Sequence, residues 1–378
     1  MGDSLRIALF VHHQLAAGTG AAGSTLSLAE RLRELGHRVD VYGLELVGSG
    51  ESLSHQIRFP FAVAHRVRQA LRSNEYDIID ASTGDLWLLT RREIARSRSV
   101  VFTRSHGLEP LGAAARREGA RRGEMTLRWR YRLYHGGWRL HEVRRTLRVA
   151  DAVLVLNRLE KAYVSALRDD ETSVVVTAPL LGAGYASTPD ATSEPRVLVA
   201  GGTQWRKGGS DNAEVIRELL TRHSDVSVTW LGADRDAVDT EIPETLRQRV
   251  RPVPSFRSDE VAGLLAAHRV VVHLSRFEGW GMLVVEALSH GCLVVGTDAG
   301  VVGEVIASSG YVVPLGDRRA VSAAIDTALQ CSDFEERTHR AADAASRFAP
   351  SRVVALLVEN YREAIRVKTE RSRSEGNS

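Results

Sequence analysis

The chain has 378 residues, 43% hydrophobic and 26% charged, with a net charge of +3, which is typical of a soluble globular protein of about two domains. No run approaches the roughly 20 apolar residues of a membrane span, and the apolar run 7–11 is too short for a signal peptide. Only Cys292 and Cys331 are present, which excludes a disulfide framework and a cysteine metal site. We therefore expect a cytoplasmic protein.

The first half predicts strands and helices in alternation. A strand at 5–11, a helix at 24–35 closed by Gly36 and a strand at 38–42 form a βαβ unit. Further strands are predicted at 78–79, 100–103 and 153–156. The segment from Gly184 to Glu194 is polar and lacks the hydrophobic periodicity of a helix or a strand, which is typical of a linker.

The same alternation then restarts, with strands predicted at 196–200, 226–231, 270–274 and 293–295. We therefore predict two Rossmann-like α/β domains that face each other across a cleft. Their predicted bounds are 1–185 and 186–348. An apolar helical stripe predicts a C-terminal helix at 349–367, and residues 368–378 are expected to be a disordered tail.

Two glutamates, Glu278 and Glu286, flank the junction between the strand at 270–274 and a helix predicted at 282–290. A helix that begins near Gly281 or Met282 presents unpaired backbone N–H groups, which suit a phosphate. Glu286 lies one turn into the helix, where its carboxylate can accept hydrogen bonds from vicinal hydroxyls such as those of a ribose. Glu278 lies at the carboxyl end of the strand, where open α/β sheets bind ligands, and is expected to hold another polyol.

Two cations, Arg206 and Lys207, follow the first strand of the second half. Both suit a leaving group that gains negative charge. Together with the segments 275–288 and 287–304, this pattern resembles the E-x(7)-E donor site of the retaining glycosyltransferases of family 4. The glycine-rich loop before Leu28-Ala29, with Gly20, also resembles that family, and so does the segment Thr103-Arg-Ser-His106-Gly107.

The resemblance implies the GT-B architecture and a retaining transfer of a sugar from a nucleoside diphosphate to an acceptor hydroxyl, without a metal. It also implies that the first domain binds the acceptor, that the second binds the nucleotide sugar, and that the C-terminal helix crosses back to the first. The implied catalytic residues are His106, Glu278, Arg206 and Lys207. The implied donor-binding residues are Gly20, Arg206, Lys207, Glu278, Gly279, Gly281, Met282, Leu283 and Glu286. Candidates on the acceptor side are His12, His13 and Arg104.

Four alternatives were considered beside this interpretation. The segment 18–23 fits the G-x-G-x-x-G pattern of a nicotinamide enzyme, but residues 12–17 separate it from the strand. Asp234 and Asp236 fit a D-x-D metal site, yet Arg206 and Lys207 already balance the phosphate charge, so we expect loop residues and no metal. A nucleotide-sugar epimerase of the same architecture and a catalytically silent relative also stay open.

An arginine-rich stretch spans 116–148, with eleven arginines against three glutamates, and carries Trp129, Tyr131, Tyr134 and Trp138. It favours a phosphorylated acceptor or the inner face of an anionic membrane as partner, and a small polar natural product or a lipid-linked glycan would fit as acceptor as well. The alternative interpretation is a pair of solvated helices whose arginine stems cover apolar surface. Nucleic acid is not an expected partner, because no binding module accompanies the charge.

Overall fold

The computed structural model describes residues 4–15, 20–48, 50, 52–168, 173–182, 184–257, 259–306 and 309–376. It divides into two compact units, one of Met1–Leu180 with Pro350–Ser378 and one of Leu181–Ala349. The first boundary lies at 180–181 and not at 185, because Leu180 packs into the hydrophobic core of the first unit.

The first unit contains a parallel sheet of six strands in the order β2-β1-β3-β4-β5-β6. The strands are β1 (Arg6–Phe10), β2 (Arg38–Tyr42), β3 (Ile78–Ser82), β4 (Val100–Arg104), β5 (Ala152–Val155) and β6 (Val174–Val176). The three central strands β1, β3 and β4 are almost wholly buried, as expected for a parallel sheet covered on both faces.

Helices cover this sheet, and one of them comes from the C-terminal end of the chain. They are α1 (Gly20–Glu34), α2 (Leu53–Ser73), α3 (Arg91–Ala95), α4 (Glu109–Arg121), α5 (Trp129–Leu133), α6 (Arg139–Val149), α7 (Arg158–Arg168) and α16 (Pro350–Gly376). A 3₁₀ turn spans Leu44–Val47, and a π-helical turn, Tyr134–Trp138, joins α5 to α6.

The second unit repeats the arrangement, with strand order β12-β11-β10-β7-β8-β9, all parallel. Its strands are β7 (Arg196–Ala200), β8 (Ser227–Leu231), β9 (Val250–Val253), β10 (Val270–His273), β11 (Leu293–Thr297) and β12 (Tyr311–Val313). Its helices are α8 (Ser210–Arg222), α9 (Arg235–Glu241), α10 (Glu244–Arg247), α11 (Val261–Ala266), α12 (Met282–Ser289), α13 (Val302–Ile306), α14 (Arg318–Gln330) and α15 (Phe334–Ser346). A single 3₁₀ turn, Trp205–Lys207, follows β7.

The predicted tail is wrong, because α16 continues through Gly376. Arg366 forms ion pairs with Glu363 and Glu370 along this helix, and Lys368 donates hydrogen bonds to Ile94 O, Ser99 O and Asp151. Two charged residues of the predicted tail therefore have partners: Glu370 pairs within the helix, and Lys368 anchors the helix to the first unit.

Among the described residues, no helix combines the length and the apolar character that a membrane crossing requires.

Candidate active site

The junction between β10 and α12 has the predicted form. Strand β10 ends at His273 and α12 begins at Met282, with Gly281 as its N-cap at φ 100°. A side chain at Gly281 would be strained at this φ, and its Cβ would lie 2.8 Å from Val302 Cγ2. Glycine therefore lets the chain turn sharply and leaves the first N–H groups of α12 without a side-chain cap.

Glu278 is 7% exposed and lies at the centre of a polar cluster. Its Oε1 accepts hydrogen bonds from Lys207 Nζ and, at 2.8 Å, from Ser275 Oγ. Its Oε2 accepts a longer bond of 3.4 Å from Arg206 Nη1, and His273 Nε2 lies 3.5 Å from Oε1. The structure thus brings together three residues predicted as catalytic and adds two that were not predicted.

The charge state of Glu278 follows from these partners. Burial by itself would raise its pKa. The hydrogen bond from His273 and the charges of Lys207 and Arg206 outweigh that effect, and they hold the pKa far below its ordinary value. Glu278 is therefore an anion at neutral pH.

Arg206 and Lys207 are positioned by the turn that carries them. Arg276 donates to Gly208 O at 2.8 Å and to Asp211 Oδ2 at 2.8 Å. Its guanidinium also lies 5.7 Å from the centre of the Trp205 ring. Arg276, which follows β10, therefore ties the turn after β7 to the junction that carries Glu278.

Glu286 lies on the second turn of α12 and is 7% exposed. No partner for its carboxylate lies among the described residues, and burial alone raises its pKa to about 7. A buried carboxyl group without a partner is costly, so a hydrogen-bond donor from a ligand would be stabilising there.

Backbone from the segment predicted as a linker lies against Glu286. A Cβ placed on Gly184 would be 2.7 Å from Glu286 Oε1, so only glycine leaves room for the carboxylate. The segment is also bound to α12, since Ala186 N donates to Ser289 Oγ at 3.0 Å and His290 Nε2 lies 3.2 Å from Gly184 O. The polar composition that predicted a linker corresponds here to an ordered edge of the site.

Four residues of this site were missed by the sequence analysis: Gly184, His273, Ser275 and Arg276. Three of them lie in or directly after β10, so the rule that ligands bind at the carboxyl ends of parallel strands would have found them. Gly184 is different, because its role depends on a tertiary contact that no local pattern reports.

The candidates of the first half lie in the first unit. His12 follows β1, and its Nδ1 lies 2.6 Å from Asp85 Oδ1, whereas His13 is exposed. Arg104 ends β4 and donates to Asp80 Oδ2 at 3.0 Å and to Tyr361 Oη at 3.2 Å, so its guanidinium is held in a buried ion pair.

His106 and Gly20 complete the predicted set. Burial, and then the charge of Arg104, lowers the pKa of His106 to about 4, so the imidazole is neutral at physiological pH. Gly20 is the first residue of α1, at φ 31°. Gly18 and Thr19 of the same glycine-rich loop lie outside the described residues.

Asp234 acts as a helix cap in this structure. Its side chain accepts a hydrogen bond of 2.8 Å from Ala237 N and caps α9. Within the described part of the chain, no three His, Cys, Asp or Glu side chains group as metal ligands would.

Comparison with known families assigns both halves of the chain. The model described as Glycosyltransferase Family 4 matches residues 18–178, and the model described as Glycosyl transferases group 1 matches residues 194–331. The chain belongs to the family 4 glycosyltransferases. The two segments together cover most of its length, and the second contains the whole cluster around Glu278 together with Glu286.

One curated relative of this glycosyltransferase is the phosphatidylinositol N-acetylglucosaminyltransferase gpi3 subunit of Schizosaccharomyces pombe, 25% identical over 154 residues. The match spans 39% of this chain and 34% of that relative's length.

Solved structures confirm the fold class of two Rossmann-like α/β domains. Sucrose-phosphate synthase from Thermosynechococcus elongatus has a TM-score of 0.73 at 18% identity. The match covers 96% of this chain and 100% of the synthase chain. Anabaena HepE, in complex with UDP and glucose, has a TM-score of 0.62 at 17% identity. The match covers 95% of this chain and 100% of the HepE chain.

Proposed function

We propose that this glycosyltransferase moves a sugar from a nucleoside diphosphate to an acceptor hydroxyl with retention of configuration, and that the second unit binds the donor. The observation that carries the proposal is the arrangement around α12. Glu286, a buried carboxylate that has no partner among the described residues, lies on the second turn of a helix whose N-terminus has no side-chain cap. An anionic Glu278, in the turn before that helix, holds two cations. HepE, a neighbour of the same fold, binds UDP and glucose.

Each donor group has a matching element in this arrangement. Glu286 would accept hydrogen bonds from the ribose hydroxyls, and the backbone of Gly281, Met282 and Leu283 would hold the diphosphate. Gly279 lets the chain approach the ligand closely before the helix begins. Glu278 would bind hydroxyls of the transferred sugar. Gly20 would contribute, as the family resemblance implies, by bringing the backbone of its loop close to the phosphates.

Arg206 and Lys207 would stabilise the departing diphosphate. In the structure both cations are held by Glu278, so their positions are set before the donor binds. Preorganised charge of this kind favours a leaving group whose negative charge grows in the transition state. The proposed mechanism uses no side-chain nucleophile. The acceptor would attack from the face that the diphosphate leaves, with the diphosphate taking the proton. His106 keeps the role that the resemblance implies, orientation of the sugar.

We also propose that the transfer needs no divalent metal, since Arg206 and Lys207 supply two positive charges and Asp234 serves as a helix cap. Activity that survives dialysis against EDTA is the expected result. Activity that is lost and then restored by Mg²⁺ or Mn²⁺ would contradict this proposal.

A thermal-shift panel of nucleoside diphosphates and their sugars tests the donor assignment. A ligand that binds only the folded chain raises the melting temperature, and Glu286→Ala should abolish the increase. Product formed from the donor alone would indicate an epimerase. Donor binding without turnover on any acceptor would indicate a silent relative.

The arginine-rich stretch favours an anionic membrane surface as a further partner. Three large apolar side chains are exposed there: Trp129 at 65%, Leu133 at 66% and Trp138 at 51%. Many arginines of α4, α5 and α6 are exposed around them. Basic side chains with exposed tryptophan and leucine suit the headgroup region of an anionic bilayer. We propose peripheral contact with the inner face of a membrane, which would suit a lipid-linked acceptor.

Part of the stretch has a structural role. Arg145 donates to Trp87 O at 2.5 Å, Arg117 donates to Gly136 O at 2.8 Å, and Arg139 is buried. These three arginines therefore make contacts within the first unit, and the alternative of solvated helices whose arginine stems cover apolar surface stays a prediction.

Vesicle flotation tests the membrane contact. Binding to vesicles that contain an anionic phospholipid should fall several-fold in the double variant W129S/L133S and in high salt, and phosphatidylcholine vesicles should bind weakly. Leu159→Ser is a matched control, since Leu159 is 62% exposed in the same unit outside the stretch. Equal flotation of all three proteins would refute the contact.

A further inference from the structure

A basic cavity of about 670 Å³ lies between α3, α6 and α7 of the first unit. Its lining contains four arginines and one histidine: Arg91, Arg144, Arg145, Arg148 and His141. The other three lining residues are a threonine, a valine and a leucine, so this described wall carries no carboxylate. The volume lies in the range of roughly 300–1,000 Å³ that is typical of small-molecule sites.

The sequence of α6 and the start of α3 explain why these cations meet. The basic residues of α6 are spaced three, four and seven positions apart, which places them on one face of the helix. The opposite face carries Val143 and Leu147, both fully buried in the core of the first unit. Arg91 is the first residue of α3, whose start is fixed by the capping box of Thr90 and Glu93.

The cavity lies along the helices that cover the sheet. Helix α6 leads to the amino end of β5, and α3 leads to that of β4. His12 and His106, predicted for the cleft, follow the carboxyl ends of β1 and β4 instead. A neighbouring cavity shares Arg91 with the first and reaches Arg371 of α16. A ligand in the basic cavity would therefore contact a different set of residues from those predicted at the carboxyl edge.

Three of the four guanidinium groups are fixed through their Nε atoms. Arg91 Nε donates to the carbonyl oxygen of Arg148 at 2.7 Å, and Arg145 Nε donates to that of Trp87 at 2.5 Å. Arg144 Nε donates at 3.3 Å to a tyrosine hydroxyl of α7. Within the part of the chain that the structure describes, the Nη groups of these three arginines have no partner. Each guanidinium is thus oriented by the protein while its paired Nη donors stay available to an anion.

The positive charge of the cavity is not balanced by neighbouring acids. None of the four arginines forms an ion pair with a described residue, because Glu93 pairs with Arg68 and Asp151 pairs with Lys368. The C-terminus of α6 supplies only about half a negative charge. Like charges that share one cavity repel each other, so an anion bound among them would stabilise this part of the unit.

We propose that this cavity is a phosphate-binding site, separate from the donor site and independent of the proposed function. The ligand is a diphosphate or a phosphate monoester, whose oxygens accept hydrogen bonds from the Nη groups of Arg91, Arg144 and Arg145. A phosphate monoester carries close to two negative charges at neutral pH, which suits four guanidiniums better than the single charge of a carboxylate. Because its ligands come from α3 and α6, the bound phosphate holds these two helices together.

Hydrogen exchange with inorganic pyrophosphate as the probe locates the site. Pyrophosphate should slow amide exchange in α3 and in residues 144–149 of α6, whatever it does in α12 of the second unit. Chloride at the same ionic strength should have little effect on these residues. Exchange in α3 and α6 that does not respond to pyrophosphate would overturn the proposal. A response there without one in α12 would count against the donor assignment alone.

Variants of matched charge separate a built site from general attraction. In R144Q/R148Q, half-maximal slowing of exchange in α3 should need at least about tenfold more pyrophosphate than in the wild type. The control R121Q/R122Q loses the same charge from α4 of the same unit, where both arginines pair with Glu118 outside the cavity. It should respond as the wild type does.

The single variant R148Q covers the case in which the double variant fails to fold, because Arg148 makes no side-chain hydrogen bond with a described residue. R148Q should weaken the pyrophosphate response several-fold. R144K/R148K keeps the charge and should restore most of the response. Equal pyrophosphate dependence in R144Q/R148Q and R121Q/R122Q would overturn the site.

The phosphate has two candidate sources, a dissolved metabolite and a phospholipid headgroup. The exposed Trp138 ring lies 5.6 Å from the ring of His141, so the cavity adjoins the apolar side chains proposed to contact a membrane. Flotation on phosphatidylcholine vesicles that contain phosphatidic acid distinguishes the sources. Flotation that is several-fold lower in R144Q/R148Q than in R121Q/R122Q, and that pyrophosphate inhibits, supports the headgroup. Equal flotation of the two variants, with the difference in pyrophosphate response retained, supports the dissolved phosphate.

Discussion

Glu286 combines burial with the absence of any partner among the described residues, and its protonation should therefore control donor binding. Burial raises its pKa to about 7, so the carboxyl group is protonated below that pH in the free protein. A ribose donates hydrogen bonds best to the ionised form. We expect the affinity for a nucleoside diphosphate to increase as the pH rises from 6 to 8, with release of a proton on binding. Calorimetry in buffers of different ionisation enthalpy measures both effects.

Glu286→Gln supplies the control. The amide does not ionise, so its donor affinity should be lower and independent of pH over the same range. The raised pKa also means that the ionised carboxylate of Glu286 destabilises the folded wild type. Above pH 7 the free energy of unfolding of Glu286→Gln should therefore exceed that of the wild type by up to about 3 kcal/mol. A wild-type affinity that is constant from pH 6 to pH 8 would contradict the role of Glu286.

Gly184 limits the space beside the same carboxylate. In Gly184→Ala the new Cβ would lie 2.7 Å from Glu286 Oε1, so the side chain or the segment must move. Overpacking of this kind costs about 1–3 kcal/mol, and we expect roughly a tenfold loss of donor affinity. Gly263→Ala, in α11, is the control, since its Cβ would meet no atom within 4 Å. Equal donor affinity in the two variants would show that the contact has no role in binding.

At the scale of elements, the site depends on the turn after β7 being fixed to the end of β10. Arg276 makes this connection through Gly208 O, Asp211 and the Trp205 ring. Arg276→Gln should let Arg206 and Lys207 move away from the diphosphate. We expect kcat to fall roughly 10- to 100-fold with a smaller change in donor KM, because the charges act mainly in the transition state.

Steady-state kinetics with Arg257→Gln as control tests this prediction. The exposed guanidinium of Arg257 pairs with Asp259, and the Arg257 backbone N–H donates to Glu260, so replacing the side chain should leave kcat unchanged. If Arg276→Gln reduces kcat no more than Arg257→Gln does, the turn does not need this connection.

The elements that the sequence predicted well are those in which a local pattern and the fold agree. Apolar runs gave the interior strands β7 and β10, and glycine next to an apolar helix gave the start of α12. Three strands at sheet edges, β6, β9 and β12, were missed, because β6 and β12 have three residues each and β9 contains Pro252.

The candidate site shows the same division. Glu278, Arg206 and Lys207 were expected at one site, and the structure brings them into contact. Asp85 was missed, because its pairing with His12 and Arg139 joins residues that are 54 or more positions apart in the chain. Sequence patterns identify chemistry at strand ends, but long-range contacts decide which partners those groups have.

At the scale of the whole molecule, the chain leaves the first unit at 180–181 and returns to it at 349–350. The returning helix α16 is anchored by Tyr361, which is fully buried and donates to Asp80 Oδ2 at 2.5 Å. Asp80 also accepts from Arg104, so a helix from the C-terminal end of the chain completes a buried network between β3 and β4.

Tyr361→Phe removes only the hydroxyl and leaves the ion pair of Asp80 and Arg104 with one donor fewer. Loss of a buried hydrogen bond to a charged group costs about 1.5–3 kcal/mol, so amide exchange in β3, β4 and α16 should become faster. Amide exchange in α12 should stay unchanged, and so should the slowing of that exchange by a nucleoside diphosphate, because α12 belongs to the second unit. Hydrogen exchange followed by mass spectrometry measures both regions in one experiment. Faster exchange in α12 as well would show that α16 stabilises the two units together rather than the first alone.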